Sequence, residues 1–355
     1  MKPFILLVII LFSMLVSCYK PYNTNIDTEK KILVINGLIT NQKASYRIHL
    51  SYATPFDSSG AGQPAYASNV HITDEKDNYY AFHELGNGYY ASDFLQFTGN
   101  PGSTYTLHIN TVDGERYESD PQLLYPGTYP DSVYAEFDYQ ETLSKITGMI
   151  ILSHGANILT DIRNKSDNFP RFRFTTNLVT LYVFAVYVPF GPSSVLYCWQ
   201  TENANPNVNL TGGEHSINSA SVKKHAVCFI DDDLYCYSLI YFKPFMISNR
   251  IIYLKQYTLN NEAYLYYKNI DGLLRSEGKL FDPIATQVNG NIKCLTHPED
   301  KVFGFFEASS VSYTSYKVDF RNLINDQPAI TMVPYILPPE LKGVWENIVP
   351  PFWIN

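Results

Sequence analysis

The strongest constraint on this chain is a recurring pattern of short segments that alternate apolar and polar residues, closed by glycine, proline, asparagine or aspartate. Tyr46–Ser51 is the clearest case: Tyr46, Ile48 and Leu50 fall on one side, Arg47, His49 and Ser51 on the other. A period of two belongs to a half-buried strand, whose successive side chains point to opposite faces. Tyr105–Thr111 repeats the pattern and runs into Asp113-Gly114, a hairpin signal, before Glu115–Ser119. Gly86-Asn87-Gly88 likewise turns the segment 78–85 back into Tyr89-Tyr90. Adding Lys31–Thr40, interrupted at Gly37, and Val70–Asp74 gives about seven short strands before residue 122, the pattern of an immunoglobulin-like β-sandwich over 31–122. The 29 Tyr and 21 Phe of the chain suit pleated, half-buried surfaces, so composition agrees with pattern.

Pro121–Pro130 holds three prolines and marks a boundary. The second unit, 131–355, is again mainly strands: Ser132–Tyr139, Ile146–Leu152, Arg171–Thr176, Leu178–Val188, Val195–Thr201, Ser221–Ile230, Tyr235–Phe242 and Arg250–Tyr257. The apolar run Leu178–Phe190 reads as a buried strand pair. One segment has helical character. Asn260 is a capping residue, an acid follows in the first turn, and Ala263, Tyr267, Ile270 and Leu274 recur at helical spacing, which predicts an amphipathic helix over 261–274. Residues 334–355 hold five prolines and two tryptophans. Such a tail cannot join a central sheet and should wrap over the surface or the junction of the units. The fold class expected is therefore mainly β: an immunoglobulin-like sandwich, then a larger sandwich-type domain with one helix.

The amino terminus carries a different signal. Met1-Lys2 precedes an apolar run, Pro3–Val16, shorter than the ~20 residues a spanning helix needs. It ends in Leu15-Val16-Ser17-Cys18, the arrangement recognised by lipoprotein signal peptidase. Residues 1–17 then form a cleaved signal, Cys18 takes the lipid, and residues 18–30 are a polar tether. A plain secretory signal with an incidental cysteine is the bland alternative. Acyl chains on Cys18 would hold the chain at a bilayer, each buried methylene contributing ~0.8 kcal/mol. No Asp follows Cys18 and no acidic cluster lies nearby, so an outer-membrane location is expected with the periplasmic and cell-surface faces both open.

Beyond Cys18 the chain has Cys198, Cys228, Cys236 and Cys294. An even number in an exported protein allows two disulfides, and spacing favours Cys228–Cys236 with Cys198–Cys294 by elimination; four buried thiols are the alternative. No C-x-x-C pair occurs, and no metal site and no cofactor are expected. His83-Glu84 begins like a zinc-protease motif but lacks the second histidine and runs into a glycine turn. Gly60-Ala61-Gly62 lacks the strand–helix context of a phosphate loop, and Asp231-Asp232-Asp233 suits a solvated turn better than a calcium loop. A net charge of −8 argues against nucleic acid as a partner.

Several segments, in order, carry a resemblance: Leu33–Ile39, Gly102–Gly114, Tyr197-Cys198-Trp199, Leu254–Tyr267, Gly278–Pro283, Asn289–Ile292, Val302–Ser309 and Pro351-Phe352-Trp353. Together they resemble the Bacteroidota outer-membrane lipoprotein family known as domain of unknown function 4249. The resemblance implies an outer-membrane lipoprotein, often encoded beside TonB-dependent receptors, with no catalytic residue to carry over. The function expected is a non-catalytic accessory or binding component of the cell envelope, working with a TonB-dependent transporter in nutrient uptake. A structural or adhesive envelope protein is the alternative, and an unrecognised hydrolase a third reading.

Overall fold

The computed structural model describes residues 31–54, 62–93, 97–143, 149–163, 171–186, 194–205, 207–212, 221–231, 235–238, 243–275 and 288–318. The expected signal, Cys18 and its tether, and the Pro/Trp tail lie outside these residues.

The first unit runs through β1 (Leu33–Thr40), β2 (Arg47–Tyr52), β3 (Ala67–Asp74), β4 (Tyr79–Gly86), β5 (Tyr89–Ser92), β6 (Thr104–Thr111), β7 (Arg116–Ser119) and the short β8 (Gln122–Leu123). The second comprises β9 (Ser132–Leu143), β10 (Ile150–Arg163), β11 (Arg171–Val186), β12 (Ser194–Asn203), β13 (Asn209–Thr211), β14 (Ser221–Asp231), β15 (Tyr235–Ser238), β16 (Lys243–Leu259), the helix α1 (Asn261–Leu274), β17 (Ile292–Cys294) and β18 (Phe303–Val318). The protein is mainly β, as expected.

Alternation explains the first core. Leu33, Ile35, Ile48, Leu50, Val70, Ile72, Tyr105, Leu107 and Ile109 are all buried in one cluster, each at every second position of its strand. The sheet path through this unit is continuous: β1–β2–β5–β4–β3–β6–β7–β17. One curled sheet thus supplies the sandwich-type core, where an immunoglobulin domain uses two. Gly37 does not break β1, contrary to expectation. A Cβ there would lie 3.2 Å from the Phe306 ring and 3.3 Å from Ile48, so glycine marks a close approach between strands.

In the second unit the three-stranded sheet β14–β10–β9 packs on strands β11, β16 and β18. Ala156, Ile158 and Ile162 from one side meet Phe172, Phe174, Leu178, Ile252 and Leu254 from the other. Of the strand pair expected over 178–190, residues 178–186 are the second half of a single long strand, β11, and 187–190 lie outside the described residues. Asn177 looked like a break, but it keeps extended pairing with Tyr253 on one flank and Asn203 on the other.

The division of the chain also differs from a simple cut at 121–130. β18 pairs parallel with β1 through Phe303–Ser309, then antiparallel with β16 through Ser310–Val318. Ile292, Phe306 and Ala308 belong to the core of the first unit. That core is therefore completed by residues remote in sequence. Buried Asn291 stands in for a strand here, donating through Nδ2 to Phe306 O (2.8 Å) and accepting at Oδ1 from Phe306 N–H (2.9 Å).

Helix α1 begins where its cap predicts. Asn260 Oδ1 accepts from Ala263 N–H at 2.7 Å, and Glu262 sits in the first turn. Its buried face is Ala263 with Tyr264, Tyr266 and Tyr267, against Tyr257, Leu259 and Phe305. Leu274, expected on that face, is instead 68% exposed. Asn260 also donates through Nδ2 to Gln122 Oε1 (2.6 Å), and Gln122 Nε2 donates to Glu262 (2.7 Å), so one cap fastens the helix to the exit of the first unit. Asn260→Ala removes both interactions and should cost about 1–2 kcal/mol. Urea unfolding measures it, and an unchanged midpoint would show that the cap does not bear on stability.

Candidate binding face

The outward side of the first unit gathers four of the eight histidines of the chain. Because Ile48, Val70, Ile72, Phe82, Leu107 and Ile109 point inward, alternation turns His49, His71, His83 and His108 outward, along with Tyr79. The strand order then sets them side by side. His49 and Tyr89 face each other across β2 and β5, their rings stacked with centroids 4.1 Å apart. His71 lies between Tyr79 at 4.4 Å and His108 at 4.8 Å, both nearly parallel to it. Tyr79 and Tyr89 are 55% and 41% exposed.

The polar edges of these rings are organised. His108 donates from Nδ1 to Glu118 Oε2 at 3.1 Å, which leaves Nε2 to accept from the Thr73 hydroxyl at 2.9 Å. His71 Nδ1 donates to Asn69 Oδ1 at 2.7 Å, and Asn69 also bonds the Tyr79 hydroxyl. Partial burial, and then the neighbouring His108, lower the His71 pKa to about 4. His71 is therefore neutral at ordinary pH. The face offers flat aromatic surface and fixed hydrogen-bonding groups, both at small entropic cost. That combination suits a polar, hydrogen-bonding partner.

A second polar cluster is buried where β11, β16, β18 and α1 meet. Arg173 binds Glu307 through Nη2 at 3.1 and 3.0 Å, with side chains 13% and 2% exposed. Tyr257 and Tyr267 flank the guanidinium at 4.2 and 4.5 Å, and the Tyr267 hydroxyl donates to Glu307 Oε2 at 2.5 Å. Burial, the largest influence, acts to lower the Arg173 pKa, but Glu307, Tyr267 and Tyr257 together raise it above its ordinary value. Burial first, and Glu307 next, push the Tyr267 hydroxyl well up. The guanidinium, the carboxylate and the Tyr267 hydroxyl bond one another, with Arg173 Nε left buried without a hydrogen-bond partner, so the cluster acts as a structural joint.

The structure does not bear out the expected disulfides. Cys228 and Cys294 are free and buried. Cys228 pairs with Ile158 in the three-stranded sheet, whereas Cys236 pairs with Phe245 of β16. Cys198 lies on β12 and Cys294 on β17, the two ends of the long strand path. Burial pushes the Cys228 thiol up to about 12, which makes it inert. His83-Glu84 does end a strand before a turn, with Asn87 and Gly88 at positive φ. Of the acidic triplet, Asp231 closes β14, and Asp232 and Asp233 lie outside the described residues.

The histidine face was not anticipated as a site. Its signal was present, since each histidine sits at an outward position of an alternating strand. The lateral order β2–β5–β4–β3–β6 was missing, and it alone brings the rings together. Among the described residues no helix is long and apolar enough to cross a membrane. Compared with known families, the model described as domain of unknown function (DUF4249) matches residues 19–315. No curated protein and no solved structure matches.

Proposed function

We propose, for a chain that belongs to the DUF4249 family over most of its length, that it is a cell-envelope lipoprotein. In this reading the lipid on Cys18 holds it at the outer membrane. There it works as a non-catalytic binding or accessory component beside a TonB-dependent transporter in nutrient uptake. The observation that carries the binding part is the outer face of the first unit, where His49–Tyr89 and Tyr79–His71–His108 stack with half-buried imidazoles and exposed Tyr79 and Tyr89 rings. The membrane part rests on the lipobox and on the resemblance set out above.

Two measurements test the reading. Cys18→Ser should move the chain from the membrane to the soluble fraction. Native pull-down should recover an outer-membrane barrel, and Tyr79→Ala with Tyr89→Ala should weaken that capture about tenfold, as loss of aromatic anchors does, without changing the melting temperature. A lipid-free amino terminus by mass spectrometry, or capture of no barrel by the native protein, would overturn it.

A further inference from the structure

We propose that the exposed end of the β9–β10 hairpin is a docking face for this chain's own proline-rich segment, residues 319–355. The inference is independent of the function proposed above. Register fixes which side chains share the face: Phe137 opposes Ala156, Tyr139 opposes His154, and Glu141 opposes Leu152. Ala156 and Ile158 lie in the core of the second unit, so a period of two carries His154, Leu152 and Ile150 on the same side. Burial ends abruptly along that line. Ala156 is inaccessible, whereas Tyr139 is 51%, Leu152 65% and Ile150 72% exposed. The opposite side of the hairpin is polar: Gln140 Nε2 donates to Asn157 Oδ1 at 3.1 Å, and Asn157 donates to Asp138. The hairpin thus carries the core-facing side of its sheet past the core itself, and a contiguous apolar face of this kind marks a contact surface.

The exit point of the chain selects the occupant. β18 ends at Val318, a member of the same core, which pairs with Arg250. Arg250 Nη1 donates to Asp231 O, and Asp231 pairs with Gly155. Val318 therefore stands at the level of Gly155, one residue before the exposed face begins. Ile150 lies only about 17 Å further along β10, at ~3.4 Å per residue. Residues 319–333 span up to about 50 Å when extended, so Pro334 and everything after it can reach the face.

Chemistry fits the two together. Pro334, Pro338, Pro339, Pro350 and Pro351 are interspersed with Trp345, Phe352 and Trp353. A proline-rich segment has little backbone entropy left to lose, and it packs its rings against aromatic side chains. The hairpin offers them: Phe137 and Tyr139 meet edge to face at 5.0 Å, and His154 lies 6.1 Å from Tyr139. Proline also lacks the N–H that would pair with the edge strand β9. The segment would therefore lie across the face rather than lengthen the sheet.

The test is site-specific photocrosslinking in the intact chain. Leu152→benzoylphenylalanine should, on irradiation, join residues within 319–355 of the same molecule, read by mass spectrometry of the digested monomer band. Val112→benzoylphenylalanine, at a position 71% exposed between β6 and β7, should give no such adduct. Independently, Ile150→Glu with Leu152→Glu should speed proteolysis within 319–355 about tenfold, because cleavage follows the population of the undocked segment. Val112→Glu should leave that rate unchanged. Absence of adducts in 319–355, adducts confined to a second copy, equal yield from position 112, or an unchanged cleavage rate in the double variant would overturn the proposal.

Discussion

Glu307→Ala is expected to be the most damaging single substitution in the described fold, lowering stability by about 3–5 kcal/mol. The reason is asymmetric. Glu307 is nearly inaccessible, and its removal leaves the Arg173 guanidinium buried between Tyr257 and Tyr267 without its counter-charge. Tyr267→Phe removes one hydrogen bond to the carboxylate and should cost less, about 1.5–3 kcal/mol. Replacing both ions together, Arg173→Met with Glu307→Leu, should recover most of the loss, because an apolar pair needs no desolvated charge. Chemical unfolding of the three variants checks the order. A cost below ~1 kcal/mol for Glu307→Ala would mean that water reaches the pair.

Acid should destabilise the protein steeply between pH 6.5 and 4. His225 is half-buried on β14 beside Phe174 and donates from Nε2 to Asn209 Oδ1 at 2.6 Å; its partial burial lowers its pKa to about 4. His71 is lowered to about 4 as well. Both pKa values lie below the unfolded value of 6.5, so the unfolded chain takes up protons first as pH falls. The stability from keeping these rings neutral is complete above pH 6.5 and is lost progressively down to about pH 4. For His225 the shift corresponds to roughly 3 kcal/mol. His71 is more exposed and screened by solvent, so its share is smaller. His225→Gln keeps a donor for Asn209 without a titrating ring, and its urea midpoint should fall less between pH 7 and pH 4.5 than that of the wild type. Parallel pH profiles for the two proteins would remove His225 from the account.

How much of this was legible beforehand depends on how local each feature is. The hairpin at Asp113-Gly114, the turn at Gly86-Asn87-Gly88 and the helix with its Asn260 cap were all readable, because each depends on residues within a few positions. β18 was not read as a strand. Its middle, Phe305–Val311, is buried throughout, so it lacks the alternation that marks a half-buried strand. The apolar run after Leu178 was recognised as buried but divided wrongly, since composition alone does not show whether an asparagine bends a strand or continues it.

The candidate sites follow the same division. Each histidine of the outer face could be assigned an outward position, but not its neighbours, because strand order is independent of chain order. Cys294 was paired with Cys198 on number alone. Its hydrogen bonds in the fold, from His297 N–H three residues on and to Glu115 on a distant hairpin, appear only once β17 is placed beside β7.

By itself, then, the sequence determined the mainly β class, the hairpin turns, the capped helix and the family, because short-range periodicity and capping chemistry act within a few residues. Only the tertiary structure decided that β18 ties the two units into one sheet path, that Arg173 meets Glu307, and that scattered histidines stack. Those contacts join residues tens to hundreds of positions apart, and the packing that selects them is a property of the whole assembled core.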